Sequence, residues 1–241
     1  MDIDHIPDLK KSGANKEKMP ATDFTKGEPW RVFRIMAEFI DSFEQMAKHK
    51  NLVAVFGSAR LRPNDPDYKD CVRLGELLAN AGFGVLSGGG PGIMEAANRG
   101  AWQRHGDSVG LNIKLPMEQN ANLYQTDSLD FRYFFIRKVC FTKYMVAAVA
   151  YPGGFGTLDE ISEVLTLVQT EKINPIPIVL VRKSFWQPAI DWFRNTMLER
   201  QLISPENMDL FYLAEDADDA FQFISAWEEK NGLDTTVRTD V

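Results

Sequence analysis

Cysteine, histidine and positive charge are all scarce in this sequence. Its 241 residues include two cysteines and three histidines. Cys71 and Cys140 have no C-x-x-C spacing and no histidine cluster nearby, which argues against a zinc site. Each sits in an apolar-periodic stretch, as expected of a buried thiol in a reducing cytosol. His5, His49 and His105 fall outside every motif below and read as surface residues. Lys and Arg number 27 against 34 Asp and Glu, a net charge of −7. That argues against a nucleic-acid binder working through a basic face, but leaves room for one small phosphate pocket. No apolar run approaches the roughly 20 residues that span a bilayer. The first residues are polar, with Asp2, Asp4, Lys10 and Lys11, and do not resemble a secretory leader. A cytoplasmic protein with neither a membrane nor a nucleic-acid partner is expected.

Against these absences stands a regular alternation of strand and helix. Residues 1–28 are polar and aperiodic and read as a flexible arm. From Trp30, the residues Val32, Phe33, Met36, Phe39, Ile40, Phe43 and Met46 recur at helical spacing. Short apolar runs at 52–56, 83–86, 108–113, 129–133, 146–151, 176–181 and 210–213 read as strands. Helices are expected over 68–80, around Met94 to Ala101, and over 134–145, 161–168, 185–198 and 217–229. The stretch from Pro116 to Thr126 reads as a loop and residues 231–241 as a polar tail. The alternation predicts one α/β domain over 29–230: a Rossmann-like, doubly wound parallel sheet with helices on both faces. Ligands of such sheets bind beyond the carboxyl ends of the strands.

Two glycine-rich segments fall at those ends. They are Gly88-Gly89-Gly90-Pro91-Gly92-Ile93-Met94-Glu95 and Pro152-Gly153-Gly154-Phe155-Gly156-Thr157-Leu158-Asp159-Glu160. Glycine lets a ligand approach the backbone, and a helix N-terminus offers unpaired N–H groups to an anion. Thr157 adds a hydroxyl, for a phosphate or as a helix cap. A tight strand-to-helix turn needs glycine for its own sake, so one such loop would carry little weight; two in one sheet carry more. Neither contains GxxxxGK[ST] or GxGxxG, which disfavours a P-loop enzyme and a dinucleotide dehydrogenase.

Charged residues near the second loop add chemistry. Glu160 lies in the first helical turn, where a carboxylate suits the dipole. Arg137 and Lys138 sit amid Phe134, Phe135, Ile136, Val139 and Phe141, where a cationic pair costs desolvation unless it meets an anion. Each residue alone has a plain reading, a helix-start acid or a snorkelling cation. With the loops they outline a site.

The segment from Pro152 to Glu160, the Arg137-Lys138 pair, Ser87 to Glu95, and Phe56-Gly57-Ser58-Ala59-Arg60 together resemble the Lonely Guy family of cytokinin-activating phosphoribohydrolases, long labelled possible lysine decarboxylases. The likeness covers roughly residues 50 to 200. It implies hydrolysis of a nucleoside 5′-monophosphate, such as AMP or an N6-prenylated AMP, to free base and ribose 5-phosphate, with no metal or redox cofactor. By position it makes Arg137 and Glu160 the catalytic pair, and Gly153, Gly154, Gly156 and Thr157 the phosphate loop. Lys138 and Glu118 match substrate contacts. Gly57, Ser58, Gly89, Gly90, Met94, Glu95 and Thr166 complete the expected binding set. The chain departs from plant members after its three glycines and in its N-terminal extension, which bears on preference for prenyl-adenine. No lysine stands out as a pyridoxal phosphate anchor. The resemblance also implies a homo-oligomer, a dimer or an assembly of dimers. The helices around Trp30–Met46 and Ile161–Val168 are candidates to pack between subunits or within the chain. A non-catalytic nucleotide sensor or carrier of the same fold is the rival reading.

Overall fold

The computed structural model describes residues 29–114 and 121–232. The arm expected over 1–28, Glu118, and all but the first two residues of the polar tail lie outside them. The elements run α1 (Pro29–Met46), β1 (Leu52–Phe56), α2 (Pro66–Asn80), β2 (Gly84–Ser87), α3 (Ile93–Gln103), β3 (Ser108–Ile113), β4 (Asp127–Phe131), α4 (Phe134–Tyr144), β5 (Met145–Ala150), α5 (Phe155–Gln169), β6 (Ile178–Val181), α6 (Lys183–Trp192), β7 (Tyr212–Ala214) and α7 (Ala217–Asn231). The helix expected over 185–198 starts two residues earlier, and at Phe193 it widens into a π-helical turn that ends at Leu198. The expected tail gives its first residue, Asn231, to α7, which Gly232 ends with φ +71°.

The seven strands form one sheet in the order β4-β3-β2-β1-β5-β6-β7, and every pairing is parallel. All five residues of β1 are buried, and they alternate between two cores. Leu52, Ala54 and Phe56 face a core shared with α4, α5 and α6, against which α1 also packs; Val53 and Val55 face one shared with α2, α3 and α7. The sheet is thus doubly wound, the expected Rossmann-like architecture. On the second face α2 and α3 approach so closely that a Cβ on Gly100 would strike the Val72 carbonyl.

The order of strands reverses at β1, whose neighbours are β2 and β5. Loops leaving β1 and β5 must diverge to opposite faces, and the crevice between them is where such a sheet receives ligands. Both glycine-rich segments open near this point.

Cys71 and Cys140 are both buried, as expected. His49 is not the surface residue expected from sequence. Its ring is enclosed at the foot of the sheet, with Nδ1 3.1 Å from Asp107 Oδ2 and Nε2 3.4 Å from Asp127 Oδ2. The turn after α1 tucks it against the aspartates at the starts of β3 and β4, partners remote in sequence. His105 is exposed, in a turn with φ +58°. Among the described residues no helix is long and apolar enough to cross a membrane.

Candidate functional site

At the strand reversal lies an open cleft of about 910 Å³. One wall is the loop after β1, with Gly57, Ser58, Ala59, Arg60 and Leu61; the other is the loop after β5, from Pro152 into the first turn of α5. The main chain ties the walls together, since Ser58 N–H donates to the Pro152 carbonyl at 3.0 Å. Ile93 N–H donates to the Ser58 carbonyl at 3.0 Å, which anchors the first wall to α3 as well.

The second wall presents the amides of a helix start, an arrangement that suits an anion. Gly154 caps α5, so the amides of Phe155, Gly156 and Thr157 begin the helix without intrahelical acceptors. Thr157 is buried directly beneath Gly153, where a Cβ would run into its Oγ1. Phe155 stands at the rim, 92% exposed.

Arg137 and Glu160 meet in the same cleft. Arg137 Nη1 lies 3.4 Å from Glu160 Oε1, and their side chains are 10% and 11% exposed. Arg137 is held from three directions: Nε donates to the Leu111 carbonyl at 2.8 Å, the guanidinium lies over the Phe141 ring at 5.0 Å, and Nη2 passes Gly88. Burial pushes the Arg137 pKa down, opposed by the carboxylates of Glu160 and Asp159. Burial likewise pushes the Glu160 carboxyl up, opposed by Arg137 and Lys138. Neither charge is comfortable alone, so the pair is a buried, water-poor acid–cation couple whose two pKa values are pushed by burial and restrained by each other.

Lys138 does not line the cleft. Its ammonium is 2.6 Å from Glu163, 2.9 Å from Asp159 and 3.6 Å from Glu160. Burial alone would lower its pKa, but the bonds to Glu163 and Asp159 hold it above the ordinary value. It stands behind Glu160 as a supporting charge.

Gly57, Ser58, Met94, Arg137, Gly153, Gly154, Gly156, Thr157 and Glu160 are thus brought to one cleft, and several expected contacts are not. Gly89 and Gly90 are buried behind it. Asn122 Nδ2 donates to both their carbonyls at 3.1 Å and to Asn98 Oδ1 at 2.9 Å, while Gln125 Nε2 donates to the Gly89 carbonyl at 2.9 Å. Gly89 N–H is taken by Ser87 Oγ at 3.0 Å. The first glycine segment is therefore an internal brace, and only Gly88 and Met94 from it reach the cleft. Glu95 accepts a 2.6 Å bond from Tyr68, whose burial and this bond push its hydroxyl to about 12. Thr166 is exposed on α5 and donates to the Ser162 carbonyl at 2.7 Å. Residues missed from sequence are Arg60, Phe134, Asp159 and Phe185, which line the cleft, and Asn122, which braces it. For Arg60 the signal was present, two residues beyond an expected contact, Ser58.

The family pattern described as "Possible lysine decarboxylase" matches residues 94–224, more than half of the chain and a span that includes the second wall and the buried pair. No curated protein matches the chain. Among solved structures it is similar to TM1055, a structural-genomics target (24% identity, TM-score 0.56, covering 73% of this chain and 99% of that one). It is also similar to a molybdenum cofactor binding protein from the phototrophic bacterium Rippkaea orientalis (22%, 0.54, 74% and 98%). A molybdenum cofactor carrier protein from Chlamydomonas reinhardtii gives 21%, 0.53, 73% and 97%. These three likenesses show a shared fold. With the family match across its glycine loop and buried acid–cation pair, the chain belongs to the "possible lysine decarboxylase" family, which is the Lonely Guy family.

Proposed function

We propose that the protein hydrolyses the N-glycosidic bond of a nucleoside 5′-monophosphate, AMP or an N6-prenylated AMP, to free base and ribose 5-phosphate. Family membership fits a nucleotide-related function and is compatible with a hydrolase. The observation that carries the reading is the buried Arg137–Glu160 pair beside the amides that open α5. Phosphate at those amides sets the ribose over the acid. As the bond to the base breaks, positive charge builds on the sugar, and the Glu160 carboxylate faces it. Water adds to the sugar carbon and gives up a proton to Glu160; the base leaves with the bonding pair and takes up a proton. Arg137 keeps Glu160 ionised in its dry setting.

The second reading is a carrier that binds without cleaving, favoured by the two neighbours described as a cofactor-binding and a cofactor carrier protein. A binder needs the loop but not the buried acid. Incubation with a panel of purine and pyrimidine monophosphates, N6-prenyl AMP included, separates the two. The hydrolase releases base and ribose 5-phosphate, and Glu160→Ala abolishes release while still binding phosphate. Binding without cleavage across the whole panel selects the carrier.

Homo-oligomerisation belongs to the proposal. Phe134, Phe155 and Leu158 line the cleft yet are exposed, and Trp30, Phe33, Met36 and Ile40 leave an apolar stripe open on α1. A second copy of the chain is the proposed cover. On α5, by contrast, Ile161, Val164 and Val168 are spent on the chain's own core.

A further inference from the structure

Among the described residues, the cleft has one lining cation that this chemistry leaves unused. Its charged lining residues among those described are Arg60, Arg137, Asp159 and Glu160, two of each sign. Three of the four are committed: Arg137 to Glu160, and Asp159 to Lys138. Arg60 is exposed, and its guanidinium makes no hydrogen bond or ion pair among the described residues. Its main chain is nevertheless fixed. Arg60 N–H donates to Ser58 Oγ at 3.1 Å, and Ser58 is bonded in turn to Pro152 and to Ile93.

A phosphomonoester carries up to two negative charges into a cleft whose lining is neutral overall and whose buried acid repels it. The α5 amides supply partial charge only, and Arg137 cannot turn fully to the phosphate without leaving buried Glu160 to Lys138 alone, which is 3.6 Å away and shared with Asp159 and Glu163. A guanidinium with no partner among the described residues, on a bonded backbone and lining the same cleft as the amide wall, has the missing full charge and a planar fork that matches two phosphate oxygens.

We propose that Arg60 is the phosphate-reading arm of the cleft, closing on a 5′-phosphomonoester from the β1 side while the first turn of α5 holds it from the β5 side. This rests on the site taking a nucleoside monophosphate, and it holds whether or not the bond is then cleaved. Because the side chain has no partner among the described residues, its removal is expected to leave folding intact and to change the phosphate preference alone.

The test compares AMP with adenosine, its phosphate-free counterpart, by calorimetric titration of the full chain as wild type, Arg60→Ala, Arg60→Lys and Arg62→Ala. Arg62 is also an exposed arginine, two residues on and outside the cleft lining. Wild type and Arg62→Ala bind AMP more tightly than adenosine. Arg60→Ala weakens AMP roughly 10- to 100-fold, the worth of a charged hydrogen-bonding partner. Adenosine binding and melting temperature do not move, and Arg60→Lys recovers part of the loss. In turnover, the loss falls on KM more than on kcat. If Arg60→Ala binds AMP as wild type does, the role of Arg60 is refuted while the nucleotide reading stands. An equal loss in Arg62→Ala also refutes it, since general surface charge then accounts for the effect. If wild type does not distinguish AMP from adenosine, the phosphate reading falls and the role of Arg60 falls with it.

Discussion

Arg137 on α4 and Glu160 on α5 face each other at 3.4 Å, each nearly withdrawn from water, where two helices on one face of the sheet meet its carboxyl edge. Burial raises the Glu160 pKa and the neighbouring cations restrain the rise. A carboxyl whose folded pKa is raised binds its proton more tightly in the native state. Its contribution to stability is fully present below the unfolded value of about 4.3 and is lost as pH climbs through the folded value.

Catalysis by the ionised form runs the other way. The acid limb of the pH profile of kcat/KM for AMP is expected above the ordinary carboxylate range. Lys138→Met removes a cation 3.6 Å from Glu160 and moves that limb further up. A limb that stays in place in Lys138→Met would show that Lys138 does not act through Glu160.

Gly88→Ala tests the seating of Arg137. The new methyl would lie 2.6 Å from Arg137 Nη2 and 2.7 Å from Met94 Sδ, both ends of flexible side chains. The fold accommodates it and the guanidinium shifts. Turnover is expected to fall on the order of 100-fold, the usual consequence of misplacing a reacting group by about 1 Å. Kinetics and thermal melts on the same sample distinguish this from unfolding.

Asn122→Ala tests the brace. It takes the side-chain donor from the buried Gly90 carbonyl, while the Gly89 carbonyl keeps Gln125 Nε2 and the main-chain N–H of residue 122, and Asn98 Oδ1 keeps Ser87 Oγ. A cost of about 2 kcal/mol is expected for that orphaned carbonyl. For a chain of this size that is a melting temperature lower by roughly 4–8 °C. Scanning calorimetry measures it, and an unchanged melt would mean that the loop does not depend on Asn122.

Phe33→Asp combined with Ile40→Asp tests the apolar stripe of α1. Both side chains point to solvent, at 60% and 61% exposure, so the intrachain core survives. Light scattering after size exclusion is expected to find wild type as a dimer or an assembly of dimers and the variant as a smaller species. Equal masses for the two would exclude α1 from the interface.

Much of this arrangement is legible in the chain itself. β1 and β3 lie at their expected bounds because apolar runs closed by turn residues leave little choice. Arg137 drew attention because a cation among phenylalanines needs an anion, and Glu160 is that anion. The direction in which a glycine turn opens was not legible. Glycines after a strand imply a tight turn, but whether its amides face the cleft depends on what binds its carbonyls. For Gly89 that partner is Asn122, 33 residues away. Lys138 escaped for the same reason, since the acids that claim it lie on the next helix. His49 was misplaced because burial beside Asp107 depends on a contact spanning 58 residues.

The bond from Ser58 N–H to the Pro152 carbonyl has a consequence for how such a site can diversify. It ties the two walls of the crevice through main-chain atoms, which no replacement other than proline at position 58 removes. On the proposed hydrolysis, Phe134 and Phe185 on the rim can then be exchanged to suit a different departing group while the jaws keep their spacing. New specificities are therefore reachable by single substitutions at the rim, and an engineer seeking them has no reason to touch either loop.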